Sequence, residues 1–430
     1  MEGLKMNVSG KIIVKGKQKA SGTISISGSK NSVLPIMAAS LLTEDSIILK
    51  NVPNLADVNT MIEILESAGK IVKRKDSDLI IDDLGIFNSE IPYEPVRKMR
   101  ASFNVYGPLT MRNKKAKVAL PGGCSLGARP VNYHLEGLKK LGIESVVEHG
   151  FVLGTLGNTK DQIHITLPFP SVGATEHIIT TAALLNKKEI TISNCAIEPE
   201  ITDLIDFLNK MGAKIEGRNS SVVKIIGVEK LKGVEYSVIP DRIEAGTYAI
   251  MGALIGDNLT LKNINEEHLQ SILATFEDIG IDYSINSQNK SLTISAGNFK
   301  DFKNVDIETS PYPGFATDLQ PQISVLLSLV PGRSTITEKI FHSRFTHIDE
   351  LNRMGAKIKI EDSTAIIEGV NKLSAAPVQA SNLRDSAALL IAAFLSDGET
   401  IITEVDHIFR GYEKLQEKLN NVGLYFEYEN

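Results

Sequence analysis

One pattern recurs six times along the chain and limits the fold more than any other feature. An amphipathic segment runs up to a glycine, and alternating apolar and polar residues follow. The segments are VNTMIEILESAGKIV, LEGLKKLGIESVV, ITDLIDFLNKMGAKIE, LQSILATFEDIGIDYSI, HIDELNRMGAKIKI and GYEKLQEKLNNVGLYFEY. Their glycines are Gly69, Gly142, Gly212, Gly280, Gly355 and Gly423, spaced 68 to 75 residues apart. Apolar residues at helical spacing predict an amphipathic helix, and each glycine falls where a left-handed C-cap is expected. The alternation that follows, as in Lys357-Ile358-Lys359-Ile360, predicts a strand.

A second helical segment precedes most of these: KNSVLPIMAASLL, ATEHIITTAALL, EAGTYAIMGALI, TDLQPQISVLLSL and SNLRDSAALLIAAFL. They are apolar nearly all round and are expected to be buried. A short β-rich run follows each one: SIILKNV, EITISNC, NLTLKNI, STITEKI and TIITEVD. The unit reads strand–helix–strand–helix–strand–strand. Six such units, each of roughly 70 residues, predict an α/β protein of two domains with three units apiece, helices inside and sheets outside. A TIM barrel has eight shorter βα units. A Rossmann fold needs a GxGxxG turn, which is missing. Solenoids use shorter periods and distinct caps.

Composition narrows the function. Over 430 residues, 46 Lys and Arg against 52 Asp and Glu give a net charge of −6, which argues against a general nucleic-acid partner. Trp is absent, so stacking platforms are few. Two cysteines, Cys124 and Cys195, make neither a disulfide framework nor a metal site. The opening MEGLKMNVSGKIIVKGK has no apolar core of a signal peptide, and SVLPIMAASLL (32–42) is too short to span a bilayer. The expectation is a reduced, cytoplasmic protein with no membrane partner, no metal and no cofactor.

Exceptions to the repeat mark candidate function. The links before the amphipathic helices are mostly short, but the second is LPGGCSLGARPVNYH (120–134), with Cys124, Arg129 and His134. A Pro-Gly-Gly turn can present a thiol to solvent, and a nearby arginine can lower its pKa. The same residues read equally as a surface loop with an incidental cysteine. Cys195, at the end of TISNC, reads as a small core residue. The buried helices begin with polar, often glycine-bearing turns: SGSKN, PSVGAT, PDRIEAGT, FATDLQ and SNLRDS. Helix N-termini attract anions. Lys30, Arg100, Arg129, Arg344 and Arg410 lie near such turns, which suggests a site for a polyanion in an otherwise acidic chain.

The runs ISGSKNSVLPIMAASLL, PGGCSLGARPVNYH, PSVGAT, PDRIEAGT, PYPGFATDLQPQ and FRGYEKL closely resemble the bacterial UDP-N-acetylglucosamine 1-carboxyvinyltransferases. The resemblance runs in order from about Ile12 to Leu424, and its most specific parts are the Cys loop and SGSKN. The shikimate-pathway enolpyruvyl transferases share the fold but lack the PGGC loop. The resemblance implies a two-domain inside-out α/β barrel, one domain at 30–239 and the other at 1–29 with 240–430, and an active site in the cleft between them. The implied reaction moves the enolpyruvyl group of phosphoenolpyruvate to the 3-hydroxyl of UDP-N-acetylglucosamine and releases phosphate, the first committed step of peptidoglycan precursor synthesis.

The resemblance also implies roles. Asp318 takes the hydroxyl proton. Cys124 protonates the methylene carbon, can form a covalent phospholactoyl adduct, and is the residue that fosfomycin alkylates in the family. Lys30, Arg129 and Arg410 meet phosphate, and Arg344 with Arg410 meets carboxylate. Asn31 and Asp318 meet the amino sugar; Pro130, Val131 and Tyr133 form the uracil pocket; Ser171, Val172 and Gly173 form the diphosphate turn. Arg100 and Asn382 complete the substrate contacts. Four departures stand out: Asn382, Phe409 and Asn132 each replace a usual aspartate, and His342-Ser343 replaces a usual Glu-Asn. An aspartate at 382 would be expected beside Lys30, with Asp385 on nearly the same helix face to replace the missing charge. These departures leave open a catalytically weak UDP-sugar-binding paralogue that regulates cell-wall supply. A thiol hydrolase built on Cys124 and His134 is a further alternative.

Overall fold

The computed structural model describes residues 10–122, 131–341 and 344–429. Cys124, Arg129, Pro130, His342 and Ser343 lie outside the described residues. The fold is mixed α/β. It divides into two compact units, Met1–Ser27 with Asp241–Asn430, and Gly28–Pro240, so the chain passes between them within two residues of positions 29 and 239. Each unit has its own apolar core.

Six sheets occur among the described residues, and three belong to each unit. One sheet shows how the sequence builds them. Gln162–Thr166 pairs in parallel with Glu189–Ser193, with Ile163 opposite Ile190. Parallel strands need a crossover, and here it is the helix Val172–Ala182. After Glu189–Ser193 the chain forms the amphipathic helix Pro199–Lys210 and returns as the hairpin Lys214–Glu216 and Val222–Ile226. Buried Ile190, Ile192, Val223 and Ile225 alternate with outward residues, as a sheet covered on one face requires.

All six repeat glycines adopt positive φ, from 83° to 103°, so each helix ends where the sequence places its left-handed residue. The helices before the short strands are buried almost throughout: Ser32 to Ala39 in Lys30–Ala39, Ile243 to Ile255 in Arg242–Ile255, and Arg384 to Phe394 in Leu383–Leu395. The sequence reading found five of these helices. The structure adds a buried counterpart, Tyr106–Asn113, whose Gly107, Pro108, Thr110 and Arg112 dilute the apolar signal. Its sheet also departs from the pattern. It has three strands, Lys115–Ala119, Phe151–Leu156 and Ile143–Glu148, and the parallel edge shrinks to one bridge between Glu90 and Lys117. Ile91 N–H still bonds the Lys117 carbonyl, but Pro92, the next residue, cannot donate to a ladder, which cuts that edge short.

Two joins depend on chain order. The strand Lys11–Lys15 inserts between Glu399–Thr403 and Glu427–Glu429, so the start of the chain completes the last sheet. Within the Gly28–Pro240 unit, Gly28 bridges Pro240. A Cβ at Gly28 would lie 1.7 Å from the carbonyl oxygen of Asn51, so only glycine fits there. No helix of the described residues is long and apolar enough to cross a membrane.

Candidate active site

In the unit containing Asp241–Asn430, the expected base Asp318 lies in the short 3-10 turn Thr317–Leu319, just before the buried helix Gln320–Leu327. Its two carboxylate oxygens meet different arginines. Oδ1 is 2.7 Å from Arg344 Nη1, and Oδ2 accepts from Arg384 Nη2 at 2.7 Å. Both guanidinium groups are buried. Further hydrogen bonds help a buried ion pair to hold, although the buried Arg344 Nε has no partner among the described residues. Arg344 also donates to Thr317 Oγ1 at 3.0 Å, and Thr317 donates to Glu338. Glu338 in turn accepts from Thr309 and from the backbone N–H groups of Ile340 and Phe341, which fixes the turn leading towards Arg344. Arg384 lies near the Tyr412 hydroxyl; burial opposes its charge, but Asp318 raises its pKa above the usual arginine value.

Asn382 is the N-cap of the helix Leu383–Leu395. Its Oδ1 accepts from the N–H groups of Arg384 and Asp385 at 2.9 and 3.1 Å, and its Nδ2 donates to Thr346 Oγ1. Thr346 donates to Asp385 at 2.5 Å. Burial raises the pKa of Asp385. Lys30 has an ion pair with Asp57, at 3.4 Å, and Asp385 serves Thr346. Phe409, where the family usually has aspartate, packs edge-on against Tyr428. Arg410 ends the 3-10 segment Val405–Arg410, which packs on the helix Leu383–Leu395.

In the unit Gly28–Pro240, Lys30 and Asn31 open the helix Lys30–Ala39, capped by Ser29. Ser171 caps the helix Val172–Ala182 by accepting from Ala174 N–H at 3.4 Å, so Val172 and Gly173 supply first-turn N–H groups. His134 faces this turn: a Cβ at Gly173 would lie 3.2 Å from its Cε1 and 3.4 Å from its Nε2. The tautomers follow from the partners. Gly107 N–H donates to His177 Nε2 at 2.8 Å, so the His177 hydrogen is on Nδ1, which is 3.0 Å from His134 Nδ1. His134 therefore carries its hydrogen on Nε2, towards Gly173. Burial, then the charge of Arg100, pushes the His134 pKa down to about 3, which removes it as a base for a thiol hydrolase. Arg100 opens the 3-10 segment Arg100–Val105. Val131 is buried as the N-cap of Asn132–Lys140, whereas Tyr133 is 37% exposed.

The structure therefore brings Asp318 and Arg344 together, with Asn382 linked nearby through Thr346 and Asp385. It also sets Arg100, His134 and Gly173 around one helix start. Sequence reasoning missed Arg384, Tyr412, Asp57 and His177 as parts of these sites. One signal was available: Arg384 and Asp385 are a charged pair inside an otherwise apolar helix.

The profile of the EPSP synthase (3-phosphoshikimate 1-carboxyvinyltransferase) family matches residues 14–419, and the chain belongs to this enolpyruvyl transferase family. Among its relatives, the UDP-N-acetylglucosamine 1-carboxyvinyltransferase of Thermotoga petrophila is 52% identical over 97% of this chain and 99% of the relative. The protein of the same name from Fervidobacterium nodosum is 49% identical over 97% and 98%. Among solved structures, the enolpyruvyl transferase NikO from Streptomyces tendae superposes with a TM-score of 0.89 at 22% identity, covering 98% of this chain and 99% of that one. EPSP synthase from Acinetobacter baumannii gives 0.75 at 16% identity, covering 98% and 100%. These two likenesses concern the fold.

Proposed function

We propose that this chain transfers the enolpyruvyl group of phosphoenolpyruvate to the 3-hydroxyl of UDP-N-acetylglucosamine, releasing phosphate, as the first committed step of peptidoglycan precursor synthesis. The observation that carries this reading is 52% identity, over nearly the full length of both chains, to a relative of that name. Six sheets with three in each unit, and helices buried on nearly every side, support the finer reading of two three-repeat inside-out α/β barrels. Both substrates are small and water-soluble, so the proposed setting is the cytoplasm, and no membrane or nucleic-acid partner is invoked.

The chemistry assigns the residues. The sugar 3-oxygen attacks C2 of phosphoenolpyruvate while Asp318 takes its proton, and Cys124 gives a proton to the methylene carbon. The tetrahedral adduct then loses phosphate from C2 and a proton from the new methyl carbon, which restores the double bond. Lys30, Arg129, Arg344 and Arg410 hold the phosphate and carboxylate, for which guanidinium forks are well shaped. Ser171, Val172 and Gly173 hold the diphosphate on first-turn N–H groups. Asn31 meets the amino sugar, while Pro130, Val131 and Tyr133 flank the uracil; Arg100 and Asn382 border the substrates. Mass spectrometry of the reaction tests this reading. The expected product is the UDP-sugar bearing one enolpyruvyl group. Recovery of unmodified UDP-sugar from protein shown to be folded would reject it.

A further inference from the structure

The helix Pro199–Lys210 carries a buried carboxylate that the scheme above does not use. Asp203 is 3% exposed, and the three groups that donate to its side chain are all neutral. Oδ1 accepts from the Tyr236 hydroxyl at 2.6 Å. Oδ2 accepts from the Ser32 hydroxyl and, at 3.4 Å, from the Ile239 N–H. Burial pushes the Asp203 pKa up to about 6, against the pull of these donors. Ser32 lies in the first turn of the helix Lys30–Ala39, directly after Lys30 and Asn31. Ile239 lies in the segment that leads the chain out of this unit, and its carbonyl accepts from Ser29 N–H at 2.7 Å. One oxygen of Asp203 therefore ties the helix start to that segment, and the Ser29 bond ties them a second time.

We propose that ionised Asp203 is a positioning residue: it holds the first turn of the helix Lys30–Ala39 on the segment ending at Pro240, and so sets Lys30 and Asn31. This rests on the reading above of Lys30 as a phosphate contact and Asn31 as a sugar contact. Hydrogen bonds to an ionised acceptor are roughly twice as strong as those to a neutral one. A proton on Asp203 is accommodated at Oδ1. The acid O–H donates to the Tyr236 oxygen, whose own hydrogen turns to the Asp203 backbone carbonyl, 3.1 Å away. Oδ2 then becomes a neutral carbonyl, and its bonds to Ser32 and Ile239 weaken. The first turn therefore loosens as pH falls through the Asp203 titration. The charged groups around this carboxyl are few. On its own helix stand Glu200 and Asp206; Asp206 adds to the rise in pKa and is paired with Arg218. Glu235, beside Tyr236, pairs with Lys50, and Lys210 lies over the Tyr236 ring. On the helix Lys30–Ala39 the charge is Lys30 itself, paired with Asp57.

The test follows the full-length protein by NMR from about pH 8 down to about pH 5. The 13C carboxyl signal of Asp203 is assigned through Asp203→Asn, and the backbone amides of Lys30, Asn31 and Ile239 are read in parallel. All three amides are expected to move with the midpoint of the Asp203 carboxyl. Asp203→Asn resembles the protonated form at every pH, so those movements vanish. In that variant KM for phosphoenolpyruvate at about pH 8 rises by about fivefold or more, while kcat falls by less. Tyr236→Phe removes a donor to the charged form, so the carboxyl midpoint and the amide movements shift together to higher pH. It also covers the case in which Asp203→Asn does not fold. Lys30 and Asn31 amides that ignore the Asp203 titration, or an unchanged KM in folded Asp203→Asn, would overturn the proposal. Coupled amide movements in a natural protein that shows no turnover would support the positioning and overturn the functional reading instead.

Discussion

His134 and His177 share one hydrogen between their Nδ1 atoms, 3.0 Å apart, and burial drives the pKa of both rings down. A base whose folded pKa lies below its unfolded value contributes stability that is present above the unfolded value, near 6.5, and is lost as pH falls towards the folded one. Urea midpoints are therefore expected to drop between pH 6.5 and 4.5. His177→Phe leaves the Gly107 N–H without its acceptor and costs about 1–3 kcal/mol at pH 7.5. It also flattens the acid-side loss. An equally steep loss in that variant would show that the histidine pair is not its source.

Glu176 runs the opposite way. It is buried beside Asn104, which donates to it at 2.9 Å, and burial pushes its pKa from 4.5 up to about 8. Its stabilising contribution is complete below pH 4.5 and declines as pH rises towards 8. Glu176→Gln keeps an acceptor for Asn104 and has no charge to bury. Its melting temperature is expected to match the natural protein at pH 5 and to exceed it increasingly up to pH 8.5. Parallel curves would refute this.

The two thiols are expected to differ sharply. Cys195 is 2% exposed, and burial pushes its thiol pKa up to about 12, so almost none is thiolate at neutral pH. Fosfomycin should add to Cys124 alone, as read by peptide mass spectrometry, and Cys124→Ala should lose turnover while retaining UDP-sugar binding. Modification of Cys195 in the folded protein would contradict this assignment.

Asn382 is expected to act first as a cap. Asn382→Ala removes the acceptor for two N–H groups and should cost about 1 kcal/mol. Asn382→Asp keeps that acceptor but loses the hydrogen bond to Thr346 and sets a second carboxylate beside Asp385, so thermal unfolding should place it between the natural protein and the alanine variant. Equal stability of all three would show that the cap is energetically idle.

Backbone pattern was the most readable part of the chain. The six glycines announced their helix ends because positive φ is a local requirement that glycine meets cheaply. Five buried helices showed as continuous apolar runs, while Tyr106–Asn113 hid because its burial comes from tertiary packing of small and polar residues. Side-chain partnerships were harder. Arg384 and Asp318 are 66 residues apart, and no local spacing ties them. Lys30 and Asp57 are likewise joined only by the packing of two helices. The family pattern supplied Asp318 and Arg344 as candidates, and the fold supplied what holds them.

The central claim is the transfer itself. Phosphate release from phosphoenolpyruvate, followed continuously with and without UDP-N-acetylglucosamine, tests it most directly. The account predicts sustained release only with the sugar nucleotide, one phosphate for each enolpyruvyl-bearing product, and at most one equivalent per protein chain without it. No release with both substrates present, or the same sustained release when the sugar nucleotide is left out, would contradict it.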